Sequence, residues 1–175
     1  MRIRKRLVAC FAVLLAGIGL AIPTAAGAAS IPVTCGTQSG GSETPENQVS
    51  DVRIGHHAED GGFDRIVFQF AGSGMPNWTA IPKSSAVFFT DPKGERVVLQ
   101  GTAGIKVTIR FITSDTYGGP TEFNPEPPLF PQLAEARRIG DFENVTTWGL
   151  GLQHQSCKRI LQLRSPTRLV IDVPN

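Results

Sequence analysis

The sequence predicts an all-β protein: an antiparallel β-sandwich or partly open barrel of about eight to ten short strands, with little or no helix. Three observations carry that reading. Apolar and polar residues alternate over most of the chain from Val49 to Val173, the period of a strand with one buried face. Turn signals built on Pro and Gly interrupt the alternation at short intervals. No stretch of that region reads clearly as a helix.

The chain opens on Arg2, Arg4, Lys5 and Arg6, runs apolar from Leu7 to Ile22 and turns to small residues from Thr24 to Ser30. This is the pattern of a secretory signal peptide over residues 1–29, cleaved after Ala28 or Ala29. Leu7-Val8-Ala9-Cys10 spells a lipid-attachment box, but only the charged region precedes it, so a cleaved, unanchored protein is expected. Lys5 separates Arg4 from Arg6, which breaks a twin-arginine pair. No later stretch is long and apolar enough to span a bilayer, so no transmembrane segment is expected after cleavage. Cleavage removes four basic residues, lowering Lys+Arg from 17 to 13 against 15 Asp+Glu and formal charge from +2 to −2. Nothing then points to nucleic acid or an anionic membrane as partner. With Cys10 gone, Cys35 and Cys157 are an even pair in an oxidising compartment, which predicts a disulfide between them.

Residues 30–48 read as a flexible leader to one domain of residues 49–175, because Gly36 to Ser50 is rich in Gly, Ser, Thr, Gln and Glu. Val52 and Ile54 mark a short strand, and His56 to Gly62 a turn. In Phe63 to Phe70 the residues Asp64, Ile66, Phe68 and Phe70 share one face, opposite Phe63, Arg65, Val67 and Gln69, as in an antiparallel sheet. Asn77–Ile81 and Val87–Phe89 read as strands separated by Pro82. Asp91-Pro92-Lys93-Gly94 turns the latter into Arg96–Leu99, a hairpin. From Ile105 to Ile112 the core set is Ile105, Val107, Ile109 and Phe111. Five prolines between Tyr117 and Pro131 make a long, stiff connection. Leu133–Arg138 has helix-favouring composition, but the corner that follows favours a strand. That corner, Gly140 to Leu152, reads as two strands meeting, with Gly140 at a bend, Gly149 and Gly151 at a close approach or bulge, and Phe142, Trp148, Leu150 and Leu152 in the core. Arg159–Leu163 and Thr167–Val173 are the last strands.

The chemistry-bearing residues are few. His56 and His57 with Glu59 and Asp60 have the types of a metal site, yet neighbours on a strand point to opposite faces and no third ligand is suitably spaced; no metal and no cofactor are expected. Ser73, in Gly72-Ser73-Gly74, lacks the elbow that presents a hydrolase serine, and His154 identifies no triad, so no catalytic residue is assigned. Trp78, Tyr117 and Trp148 are the aromatic candidates for stacking on sugar rings; Trp148 reads as core before platform, and Trp78 as the more exposed. Asp64, Arg65, Arg168 and Asp172 read first as charge pairs between the first and last strand motifs; Arg65 and Arg168 read second as ligands of a carboxylate. Asp141 and Glu143 alternate with Phe142, so with Thr147 they form a candidate face away from it.

Three stretches in this order resemble the AMIN-like domain, a relative of the AMIN (amidase N-terminal) domain of bacterial cell-envelope proteins. They are Phe63-Asp64-Arg65-Ile66-Val67-Phe68; Gly140-Asp141-Phe142-Glu143 with Thr147-Trp148-Gly149-Leu150-Gly151-Leu152; and Pro166-Thr167-Arg168-Leu169-Val170-Ile171-Asp172-Val173. The resemblance covers Val49 to Val173. AMIN domains are targeting modules beside cell-wall amidases and in secretins of type IV pili. The resemblance therefore implies a secreted or extracytoplasmic, noncatalytic module bound to peptidoglycan or another wall glycan. An envelope protein paired to an exposed sheet edge is the second reading, and a hydrolase the third.

Overall fold

A computed structural model describes residues 32–42, 47–59, 61–113 and 117–175. The expected signal peptide, Cys10 included, lies outside the described residues, as does Asp60. Among the described residues there is no helix. Twelve strands occur: β1 (Gln38–Gly40), β2 (Val49–His57), β3 (Phe63–Phe70), β4 (Trp78–Lys83), β5 (Val87–Phe89), β6 (Arg96–Val98), β7 (Ala103–Arg110), β8 (Glu122–Phe123), β9 (Leu133–Phe142), β10 (Val145–Leu152), β11 (Arg159–Leu163) and β12 (Arg168–Pro174). They form a six-stranded sheet in the order β1-β4-β7-β10-β9-β8, a four-stranded sheet in the order β11-β12-β3-β2, and the two-stranded hairpin β5-β6. Every pairing between these strands is antiparallel, and the result is a sandwich, not a closed barrel.

The alternation dictates which side chains meet. Ile66, Phe68 and Phe70 of β3 and Leu169, Ile171 and Val173 of β12 project from one sheet. Ile105, Val107 and Ile109 of β7 and Trp148, Leu150 and Leu152 of β10 meet them from the other. Each such side chain contributes roughly 1.5–3 kcal/mol of transfer free energy, which makes the facing register the main determinant of the fold. A second cluster, Ala86, Phe88, Leu99 and Ile139, lies beneath the β5-β6 hairpin. It rests on the far face of the six-stranded sheet, where Gly149 and Gly151 alternate with Trp148, Leu150 and Leu152. A Cβ at Gly149 would stand 2.9 Å from Leu99 Cδ1, and one at Gly151 would stand 2.1 Å from the Gln100 carbonyl oxygen. The two glycines let the hairpin lie directly on the sheet.

β9 carries bulges, and one of them inverts an expectation. Thr147 pairs with Gly140 but Trp148 pairs with Arg138, so Ile139 is the extra residue. A one-residue insertion exchanges the two faces of everything beyond it. Ile139 therefore joins the hairpin cluster, Asp141 shares the inner face with Thr146, and Phe142 turns outward, 46 % exposed. Phe142 is thus not core, and Asp141 and Glu143 do not share a strand face. Gly140 accommodates the approach of Asp91, whose Cβ would lie 2.8 Å from a Cβ placed there.

Other elements depart from the sequence reading more simply. β2 extends through His56 and His57, which are strand residues and not turn. Pro82 lies within β4, beyond the residues that β1 pairs, so its missing N–H deprives no neighbour on that side. Phe111 adopts a left-handed φ of 61° and leaves the core set of β7, which ends at Arg110. Leu133–Arg138 is strand, as the corner required. Within the stretch read as leader, Gln38–Gly40 pairs with Trp78–Ala80. The preceding residues exchange backbone hydrogen bonds between Thr34 and Lys158, and a disulfide joins Cys35 to Cys157.

Candidate functional site

The aromatic and acidic candidates do not assemble into an open platform. Trp148 is 1 % exposed in the core, its indole edge-on to Phe68 with centroids 5.5 Å apart. Trp78 is not exposed: it is 3 % accessible and lies beneath β1, where a Cβ on Gly40 would meet its ring at 2.8 Å. Thr147 is buried by the hairpin side of the sheet. Tyr117, Asp141 and Trp148 do come together, with Arg138 and Thr146, around a recess of only ≈ 10 Å³. That space suits a single water at most, not a sugar ring. Burial pushes the Tyr117 hydroxyl pKa up, and Arg138 holds Asp141 at 2.6 Å. Glu143 is exposed at the tip of the β9-β10 hairpin, where it and Asn144 adopt φ of 47° and 61°.

The two arginine candidates do lie on one surface, the outer face of the four-stranded sheet. Because Ile66 and Phe68 face inward, Arg65, Val67 and Gln69 of β3 face out, and the register carries that face across its neighbours. Arg65 stands beside Asp172, and Asp172 beside Arg159. Val67 stands between Arg53 and Val170, with Leu161 beyond. Gln69 stands between Asp51 and Arg168. Asp172, 1 % exposed, accepts from Arg65 Nε and Nη2 at 2.6 and 2.9 Å and from Arg159 Nε at 3.0 Å. Both guanidinium carbons lie 5.0 Å from the centroid of Phe63, whose ring stacks on His57 at 4.7 Å. Arg53 bonds Asp51 and Gln69, and Arg168 Nε donates to the Pro166 carbonyl.

This arrangement has more donors than acceptors. Each guanidinium carries five N–H groups, so Asp172 fixes Arg65 and Arg159 without exhausting them. The hydrogen bond to Asp172 also raises the pKa of Arg65, securing its charge. Four arginines face three carboxylates, Asp51, Asp172 and the Glu59 that holds His57, around Val67, Val170 and Leu161. The Arg65–Asp172 pair was legible as a link between the first and last motifs. Arg53, Arg159 and Phe63 were missed, since only the pairing register places them beside it.

The histidines separate as strand alternation demands. His56 Nδ1 lies 2.8 Å from Asp64 Oδ1, and His57 Nδ1 lies 2.9 Å from Glu59 Oε1. Asp64 Oδ2 accepts from the backbone N–H groups of Gln132 and Leu133, both at 2.7 Å, and so ties β3 to the start of β9. Among the described residues no group of three His, Cys, Asp or Glu could hold a metal, and no helix is long and apolar enough to cross a membrane.

A family model, the AMIN-like domain, matches residues 47–175. No curated protein and no solved structure matches the chain.

Proposed function

Since the chain belongs to the AMIN-like family over most of its length, we propose that it is a noncatalytic module of the bacterial cell envelope that holds to the wall through the arginine face of the four-stranded sheet. The observation that carries this reading is the excess of guanidinium over carboxylate on one face of the four-stranded sheet; cleavage of the expected signal peptide, part of the same proposal, would leave the remaining chain at a formal charge of −2, so that this excess is local. Arginine pairs well with carboxylates in a two-point geometry, and peptidoglycan stem peptides present carboxylates at regular intervals. Val67 and Leu161, half-buried beside the arginines, are the side chains there that could touch a sugar ring, since Val170 between them is buried. Extracytoplasmic placement belongs to the same proposal.

Co-sedimentation with purified cell-wall sacculi tests it. The protein should be enriched in the pellet, less so as salt screens the contacts. The double variant Arg53→Gln/Arg168→Gln should lose at least several-fold of that enrichment while keeping the fold, because exposed ion pairs contribute little to stability. No enrichment over a denatured control, or an undiminished double variant, would overturn the reading. A second mode rests on β2, a nine-residue strand at the sheet edge that pairs only with β3. Main-chain addition there would hold an envelope protein, and a pull-down returning glycan alone would dismiss it.

A further inference from the structure

At the end of the sandwich the two sheets part around a cleft of ≈ 640 Å³. One wall is the turn between β11 and β12, and the other is the end of β1 with the loop leading into β4. A neighbouring recess of ≈ 430 Å³ shares Ser73, Arg164 and Thr167 with it. Both walls are held before any ligand arrives. Asn47, 7 % exposed, donates through Nδ2 to the Gly74 carbonyl at 2.7 Å and accepts through Oδ1 from Gly72 N at 2.7 Å and Gln48 N at 2.8 Å. Across the cleft Thr167 is buried and its carbonyl accepts from Phe70 N, while Ser165 keeps a left-handed φ of 60°. A non-glycine residue in that region costs on the order of 1 kcal/mol, so the surrounding contacts over-determine the turn.

The lining is chemically selective. Among the described residues Arg164 is the only ionisable side chain lining either recess; it is exposed and has no carboxylate within ion-pairing distance. Around it stand the hydroxyls of Ser42, Ser73 and Thr167, the carboxamide of Gln162, and the short apolar surfaces of Met75 and Leu163. One guanidinium fork balances a single planar oxyanion. The amide and hydroxyl groups suit a peptide backbone, and the apolar surfaces suit small side chains. Among the described residues no histidine or carboxylate lines the cleft beside Ser73, and the lining offers binding groups in place of a base for a serine nucleophile.

We propose that this cleft binds the C-terminal carboxylate of a short peptide, with Arg164 as the carboxylate ligand. The proposal goes beyond attachment through the arginine face and does not depend on it. The test is a two-dimensional NMR titration of the intact, disulfide-bonded protein with three probes: acetyl-Ala-Ala-Ala with a free carboxylate, the same peptide amidated, and N-acetylmuramic acid. The free-acid peptide should shift the amides of Gly41, Gly74 and Thr167 and bind at least ten-fold more tightly than its amide. Arg164→Gln should lose at least ten-fold in affinity, and Arg164→Lys should fall between, each with its other resonances in place. Three results would overturn the proposal: no shifts at the cleft, equal binding of acid and amide, or full affinity in Arg164→Gln. Preference for N-acetylmuramic acid over the peptide would likewise overturn it, in favour of an acidic sugar. Failure of sacculus binding would leave this titration unaffected.

Discussion

Lys158 is 1 % exposed, and its ammonium donates to the Gly36 carbonyl at 2.5 Å. One carbonyl replaces little of the hydration that an ammonium loses, and burial accordingly lowers its pKa. The sign of the linkage follows. Between the lowered folded value and the ordinary lysine value, the unfolded chain binds a proton that the folded chain does not, so stability rises with pH across that window. Below it both states are protonated and the penalty stays in place. Urea midpoints measured from pH 7 to pH 10 should therefore climb for the wild-type protein relative to Lys158→Met, which has no such group. Parallel curves would show that Lys158 keeps its proton throughout. Nothing in Cys157-Lys158-Arg159 marks this burial in the sequence, because β11 alternates poorly and its inner and outer faces are set by pairing with β12. Asp172 was easier to read: it and Arg65 sit on the polar sides of two clean strands, and the structure joins them as a cross-strand pair.

Strands with strict alternation, β3 and β7 above all, were legible in position and in facing, because a register error would expose every core residue at once. The corner at Gly140 to Leu152 was legible as a hairpin but not in its facing, since a bulge at Ile139 carries no composition signal. The turn of that hairpin yields the element-scale prediction. Phe142 pairs with Val145, leaving a two-residue loop whose φ values, 47° at Glu143 and 61° at Asn144, are those of a type I′ turn. Asn tolerates this conformation and Glu does so poorly, at a cost of about 1 kcal/mol. Glu143→Asn should therefore stabilise the protein by roughly 0.5–1 kcal/mol, read as a rise of a few degrees in Tm. It should leave sacculus binding unchanged, because Glu143 lies on the six-stranded sheet, away from the arginine face. A fall in binding with the fold intact would return Glu143 to the list of wall contacts.

At the scale of the molecule, the disulfide decides how the N-terminal arm belongs to the sandwich. Cys35 and Cys157 are 122 residues apart in sequence, and on a chain-entropy model closing so long a loop is worth about 5 kcal/mol, more than any single strand contact. Beyond it the arm is held by few contacts: β1 has three residues and pairs only with β4, a bridge joins Thr34 to Lys158, the Lys158 ammonium donates to the Gly36 carbonyl, and Ser42 N donates to the Met75 carbonyl. Cys35→Ser/Cys157→Ser should lose about 5 kcal/mol of stability in urea unfolding. The loss should also be uneven. The arginine face belongs to β2, β3, β11 and β12, so sacculus binding should persist wherever the variant remains folded. Gly41 and Ser42, by contrast, reach the cleft from the end of β1. Release of the arm should therefore weaken the acetyl-Ala-Ala-Ala interaction several-fold, with faster amide exchange at Thr34 and Lys158, whose N–H groups bond each other's carbonyls. Equal loss of both activities would mean that the disulfide supports the whole sandwich and that the arm is not a separable wall of the cleft.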